Sequence, residues 1–169
     1  MVKVFETEWF SIDAIPFSSE GEDKKPYYCI SCNDSVAIIA KTAERKIILI
    51  RQYRPPISDF LLEFPSGYVD GKESPEGAAK RELLEETGYI CNEMVPLGEF
   101  KVYPSRIKNT FHVFFGKNAR KSKAEKKTSD GPELVLLHPQ EFKKLIIEKK
   151  CVEISSIGVF LLAELLKLL

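Results

Sequence analysis

The 169-residue sequence carries no net charge, since 25 basic side chains balance 25 acidic ones. A protein that coats nucleic acid or an acidic membrane needs an excess of positive charge, so neither partner is expected. A long apolar run is also missing. The longest, ISSIGVFLLAELLKLL at 154–169, is too short to cross a bilayer and contains Glu164 and Lys167. It reads as a final amphipathic helix with Ser155 or Ser156 as N-cap. The opening MVKVFETEWF has acids and an aromatic where a secretion signal needs an apolar core. A soluble, cytoplasmic protein is the expectation.

Cysteine is scarce, with Cys29, Cys32, Cys91 and Cys151 only. Cys29 and Cys32 form CISC, but within YYCISC, a strand-like run. Residues three apart on a strand face opposite ways, and no second Cys-x-x-Cys exists to complete a zinc site. Buried, reduced thiols are the better reading. Internal repeats and long low-complexity segments are absent as well. His112 and His138 lie in or beside strand-like runs, where core or edge placement is favoured over catalysis. Tyr27, Tyr28, Phe111, Phe114 and Phe115 are candidates for the core.

What is present alternates strands with helices. VFETEWFSI, YYCISC, SVAIIA and KIILIRQY read as strands, the last two joined by a hairpin at KTAER. RPPISD interrupts this pattern because paired prolines suit neither helix nor central strand. FLLEF is a short strand running into a glycine-containing loop. The clearest helix starts at Ser74, a suitable N-cap, with Pro75 at its first position and Gly88 as its stop. EFKVY, TFHVFFG and ELVLLH follow as strands, and KNARKSKAEKKTSDGP (117–132) as a polar connection. PQEFKKLIIEKK reads as an amphipathic helix with Pro139 near its start. One α/β domain with a mixed sheet accounts for residues 1–169.

Near the end of the Ser74 helix, RELLEETGY places Glu82, Glu85 and Glu86 on one face. Like charges at this spacing cost roughly 0.2–0.5 kcal/mol per pair. Their position in the last turn costs roughly 0.3–1 kcal/mol more against the helix dipole. A solvated acidic face is one reading, since Glu is a good helix former. The other is a divalent cation, which removes both penalties; hard carboxylate oxygens suit Mg²⁺ or Mn²⁺.

The wider spacing decides between them. Gly67 is followed after five residues by Glu73 and after seven more by Arg81-Glu82-Leu83-Leu84-Glu85-Glu86-Thr87-Gly88-Tyr89. This resembles the signature of the Nudix hydrolase superfamily, with Tyr89 at a position where an aliphatic or aromatic residue is usual. The resemblance implies an α/β/α sandwich with a mixed sheet and a loop–helix–loop motif. It implies that Glu82, Glu85 and Glu86 bind Mg²⁺ or Mn²⁺ with help from the Ser66 carbonyl. Glu73 and Arg81 would brace the loop against the helix, and Gly67 and Gly88 would shape the motif. Metal ions in such a site neutralise pyrophosphate oxygens and lower the pKa of an attacking water.

IRQYRPP, LLEFPSG and Pro104, sixteen residues after Gly88, extend the resemblance to the ADP-ribose and ADP-sugar pyrophosphatase branch. That implies hydrolysis of ADP-ribose or a related nucleoside diphosphate sugar to AMP and a sugar phosphate. It implies that Arg54 grips a phosphate with its planar fork of donors; an ion pair at a strand end is the plainer reading. Glu63 is left without a role. Ser105 and Arg106 depart from the Ser-Pro-Gly usual after the motif in that branch, so other nucleotide sugars and dinucleotides stay open as substrates. A further acid from a later loop would act as general base or extra ligand, with Glu125, Asp130 and Glu133 as candidates and Glu133 preferred. The branch also implies a homodimer, with residues 1–35 as N-terminal strands that help build it. A pyrophosphatase that clears dinucleoside polyphosphates or altered triphosphates is the alternative enzyme. A nucleotide sensor without turnover is the alternative of another class.

Overall fold

The structure is a computed structural model that describes residues 1–16, 25–123 and 131–169. VFETEWFSI divides into two strands, β1 (Val2–Glu6) and β2 (Phe10–Ile15), paired antiparallel. The break comes from Thr7, whose hydroxyl accepts the amide protons of Trp9 and Phe10 at 3.2 and 3.1 Å and closes a local turn. β3 (Tyr27–Cys32) adds to β2 and completes the antiparallel part of an N-terminal sheet. Its Cys29 is buried, Cys32 half-buried, and both are free thiols.

The main sheet begins with the expected hairpin of β4 (Ser35–Thr42) and β5 (Ile47–Arg54). Pro55–Ile57 form a 3₁₀ turn into β6 (Asp59–Glu63), which returns along β5, and β7 (Ser66–Tyr68) pairs with β4. After α1 (Pro75–Thr87) come β8 (Tyr89–Ile90), β9 (Glu93–Phe100), β10 (Ile107–Lys108) and β11 (Phe111–Lys121). The chain ends with β12 (Glu133–Leu137), α2 (Pro139–Ile147) and α3 (Ile154–Leu165). β4 and β11 run parallel at the centre, β5 and β12 extend one side antiparallel, and β9 flanks β11. β10 leaves this sheet to pair parallel with β3.

Both faces of β4 are covered, which is why VAIIA is a continuous apolar run rather than an alternating one. Val36, Ile38 and Ala40 pack with Ala78, Ala79 and Leu83 of α1. Ala37 and Ile39 face the other way, onto Phe142 of α2 and Val159, Phe160 and Ala163 of α3. There Phe142 stands edge-on between Phe64 and Phe160, at 5.5 and 5.0 Å between ring centres. Each such buried side chain contributes about 1.5–3 kcal/mol of apolar transfer. The architecture is an α/β/α sandwich.

Four local expectations change, the first being that β11 runs on to Lys121, into the connection expected at 117–132. α3 is capped by Glu153, whose carboxylate accepts the amide protons of Ser155 and Ser156, instead of by either serine. Ser156 is buried, and its hydroxyl accepts the Phe64 amide proton at 3.1 Å. EFKVY does not form a strand as a unit, because β9 ends at Phe100 and the following residues turn away to reach β3. Of the aromatic candidates, Phe114 and Phe115 are buried whereas Tyr28 is exposed.

Candidate active site

The acidic helix starts where its sequence says it should. The Ser74 hydroxyl accepts the Gly77 amide proton at 3.1 Å, Pro75 opens the helix, and Gly88 ends it at φ 74°. An αL stop is a conformation that glycine adopts without a Cβ penalty. Ala78, Ala79 and Leu83 turn into the core, and Glu82 and Glu86 flank that buried stripe where α1 meets β7, with Glu85 beside them.

Arg81 ties this helix to the preceding loop. Its guanidinium donates to Glu73 at 2.7 and 3.3 Å and to the Tyr68 carbonyl at 2.9 Å. The Glu73–Arg81 ion pair is therefore formed, and the arginine side chain is largely enclosed. The same guanidinium donates to Glu82 at 2.5 Å and to Glu85 at 3.4 Å. Gly67 lies directly under Glu82: a Cβ there would sit 2.1 Å from Glu82 Oε1. The absence of a side chain at 67 is what lets this carboxylate lie against the strand.

Glu86 turns the other way, and its Oε2 accepts the Ser66 amide proton at 3.0 Å. Burial raises the Glu86 carboxyl to about 7, with Glu82 and Glu63 adding to the rise and the Ser66 amide and Arg54 opposing it. Burial also raises Glu82, against the pull of Arg81. Both shifts disfavour the ionised form, and a cation beside these carboxylates would reverse them. Among the described residues no three His, Cys, Asp or Glu side chains converge tightly enough to ligate one ion. Arg81 supplies the positive charge between Glu82 and Glu85. The donor set fits a hard divalent cation, being made of carboxylate oxygens with unfavourably buried charge.

Arg54 and Glu63 meet beside this cluster. The guanidinium donates through Nε to Glu63 Oε1 at 2.9 Å and through Nη2 to Glu63 Oε2. Both line a recess of about 380 Å³ together with Ser66, Phe111, Glu153 and Ser155. Arg54 is thus an ion-paired residue that also borders open space next to the acidic helix. No feature of the sequence marked Glu63 as its partner except the presence of an acid in an apolar strand.

Glu133 stands elsewhere. It is opposite Arg51 on β5, to which it is bonded at 3.4 Å, and its side chain is 65% exposed. Val135 and Leu137 share its side of β12 and pack toward α2 and α3, whereas Leu134 and Leu136 face α1. Strand alternation therefore sends Glu133 to the face opposite the acidic cluster. Glu125 and Asp130 lie outside the described residues. The Pro104-Ser105-Arg106 turn docks on the N-terminal sheet. The Tyr27 hydroxyl donates to the Ser105 carbonyl, Arg106 lies 4.7 Å from the Tyr27 ring centre, and the Ile30 amide donates to the Arg106 carbonyl at 2.7 Å. His112 sits between Asp34 and Glu99, at 3.6 Å from each, and His138 precedes α2 at the surface.

Comparison with known proteins agrees with this architecture. Residues 33–151 match the NUDIX domain, and the chain belongs to that family. It is 39% identical over 87 residues to a methanol dehydrogenase activator of Bacillus methanolicus, a match covering 52% of this chain and 47% of that protein. It is 39% identical over 80 residues to an ADP-ribose pyrophosphatase of Bacillus subtilis, covering 47% and 43%. The matches thus span less than half the length of these relatives. The fold superposes on the crystal structure of an ADP compounds hydrolase with a TM-score of 0.83, covering 96% of this chain and 88% of that one at 21% identity. No helix among the described residues is long and apolar enough to cross a membrane.

Proposed function

We propose that this protein hydrolyses the pyrophosphate of ADP-ribose or a related nucleoside diphosphate sugar, giving AMP and a sugar phosphate. The observation that carries this reading is the pairing of an acidic helix face, Glu82, Glu85 and Glu86, with a recess bordered by Arg54. Glu82, Glu85 and Glu86 would hold Mg²⁺ or Mn²⁺, with the Ser66 carbonyl as a further donor. When bound, such an ion supplies Lewis acidity to phosphorus and acidity to a ligated water. The chain's own part is to place charge and exclude motion. Arg81 and Glu73 hold the loop to α1, Gly67 leaves room for Glu82, and Arg54 presents donors to a phosphate oxygen. Water oxygen joins one phosphorus as the bridging P–O bond breaks, and a proton is released to solvent. This scheme assigns no step to Glu133, which is bonded to Arg51 of β5.

The test is a panel of ADP-ribose, ADP-glucose, NADH, diadenosine polyphosphates and nucleoside triphosphates with Mg²⁺. AMP release is expected from a nucleoside diphosphate sugar. Turnover confined to the polyphosphates or triphosphates would transfer the assignment to that class, and no turnover at all would leave a binding module. Gly67→Ala refines the picture. Only the end of a flexible side chain must yield to the new methyl, so stability should change by about 1 kcal/mol or less. Displacing Glu82 should still cost about tenfold or more in kcat, since small misplacements of a catalytic group are amplified. Melting and turnover measured on the same preparation would reveal whether the two separate.

The N-terminal sheet supports a homodimer in this reading. Val2, Val4, Phe5, Trp9 and Phe10 are all exposed on β1, β2 and the turn between them, with Phe5 and Phe10 rings 6.1 Å apart. Apolar side chains gathered in this way mark a surface that another chain covers. Sedimentation of the wild type against a Phe5→Ser, Trp9→Ser variant distinguishes dimer from monomer.

A further inference from the structure

We infer that Glu63 is a positioning residue that aims Arg54 at the bound diphosphate, an inference that rests on the phosphate-binding role proposed for Arg54. The ladder between β5 and β6 sets Arg54 opposite Asp59 and Ile50 opposite Glu63. The acid directly across from Arg54 is therefore Asp59, at the exposed end of the hairpin. Arg54 passes it by. Asp59 instead accepts the Phe60 amide proton at 2.7 Å, and the guanidinium turns back along β6 to Glu63, four residues from its ladder partner.

The two partners are buried unequally. The Glu63 side chain is 6% exposed and that of Arg54 is 39% exposed. Breaking so enclosed a pair by removing one partner is costly, so Glu63 holds Arg54 strongly. The contact is a two-pronged one through Nε and Nη2, which fixes the plane of the guanidinium as well as its place. Among the described residues no other group bonds to the Arg54 guanidinium, so Nη1 remains available. Arg54 and Ser66 line the same recess, and Ser66 is the residue whose amide meets Glu86. Fixing the fork on its sealed side leaves the other edge for an anion on the open side. Orientation then costs the ligand nothing further when it binds.

The experiment is a double-mutant cycle of Arg54→Ala, Glu63→Gln and the pair, read as the Kd for ADP with Mg²⁺ present and as KM and kcat. Arg54→Ala is expected to weaken ADP binding about tenfold. Glu63→Gln, which cannot accept both prongs, should weaken it about fivefold with kcat much less changed. The double variant should bind no worse than Arg54→Ala and should melt at a higher temperature than it, because the stranded acid is gone. Multiplicative losses would overturn the positioning role while leaving Arg54 as a phosphate ligand. Unchanged affinity in Arg54→Ala would overturn the role of Arg54 itself. Should Glu63→Gln fail to fold, Glu63→Asp keeps the charge but shortens the reach. An ADP affinity equal to wild type in Glu63→Asp would equally overturn the inference.

Discussion

Glu86→Gln and Glu82→Gln are each expected to lower kcat by on the order of 10²-fold or more while leaving the fold intact. The amide preserves shape and can still accept one hydrogen bond, so the Ser66 amide keeps a partner at position 86. What the change removes is negative charge at the place where a doubly charged ion must be held. Turnover with saturating Mg²⁺, together with a direct titration of Mn²⁺, measures both halves of the claim. Wild-type rates in either variant would remove that carboxylate from the metal site. Glu85 is held by Arg81 at 3.4 Å and is less enclosed than Glu82, so its replacement should act more weakly.

The same substitution is expected to stabilise the metal-free protein above neutral pH. Burial raises the Glu86 carboxyl to about 7 from an ordinary 4.5. The folded state therefore binds a proton that the unfolded state has lost at intermediate pH. Its stabilising effect is complete below about pH 4.5 and is lost as pH rises through about 7. The gap corresponds to at most about 3 kcal/mol, and water at the rim of the cluster should reduce it to about 1–2 kcal/mol. Glu82 shifts in the same direction and adds to it. In chelator, wild type should lose stability between pH 5 and 8 on this account, whereas Glu86→Gln should show a flatter profile and exceed wild type at pH 8. Adding Mg²⁺ should restore the wild type alone, because a cation favours the ionised acid. Parallel profiles in denaturant melts across this range would show that the buried charge has no energetic consequence.

These two effects share one origin, a helix that sets function against stability. Carboxylates at 82 and 86 are unfavourable by spacing, by the helix dipole and by burial, and each becomes favourable once a cation arrives. The arrangement also couples the loop to the helix. Arg81 bonds Glu73, Tyr68, Glu82 and Glu85 with one guanidinium. A cation docking on Glu82 or Glu85 must share these oxygens with Arg81 or displace it toward Glu73.

Much of this was readable from residues near one another in the chain. Ser74, Pro75 and Gly88 bounded the helix because caps act through bonds to amides and carbonyls within a turn. The i, i+3 and i+4 spacing put three acids on one face, and the offsets from Gly67 to Tyr89 marked the family. The hairpin at KTAER and the start of α2 at Pro139 were equally local. Where reading failed, a distant partner had intervened. Ser156 was spent on the Phe64 amide, so capping of α3 fell to Glu153. The residues after Phe100 left the sheet because Tyr27 and Ile30, more than 70 positions away, bind Ser105 and Arg106.

By itself the sequence determined the acidic helix, its boundaries and the family to which the chain belongs, since each follows from bonds and spacings within a few turns of backbone. Only the tertiary structure decided that Arg54 answers to Glu63 rather than Asp59, that Glu133 faces away, and that Glu86 is costly to ionise. Those properties depend on which strands pair and on how much water is excluded, and both are set by contacts between segments far apart in the chain.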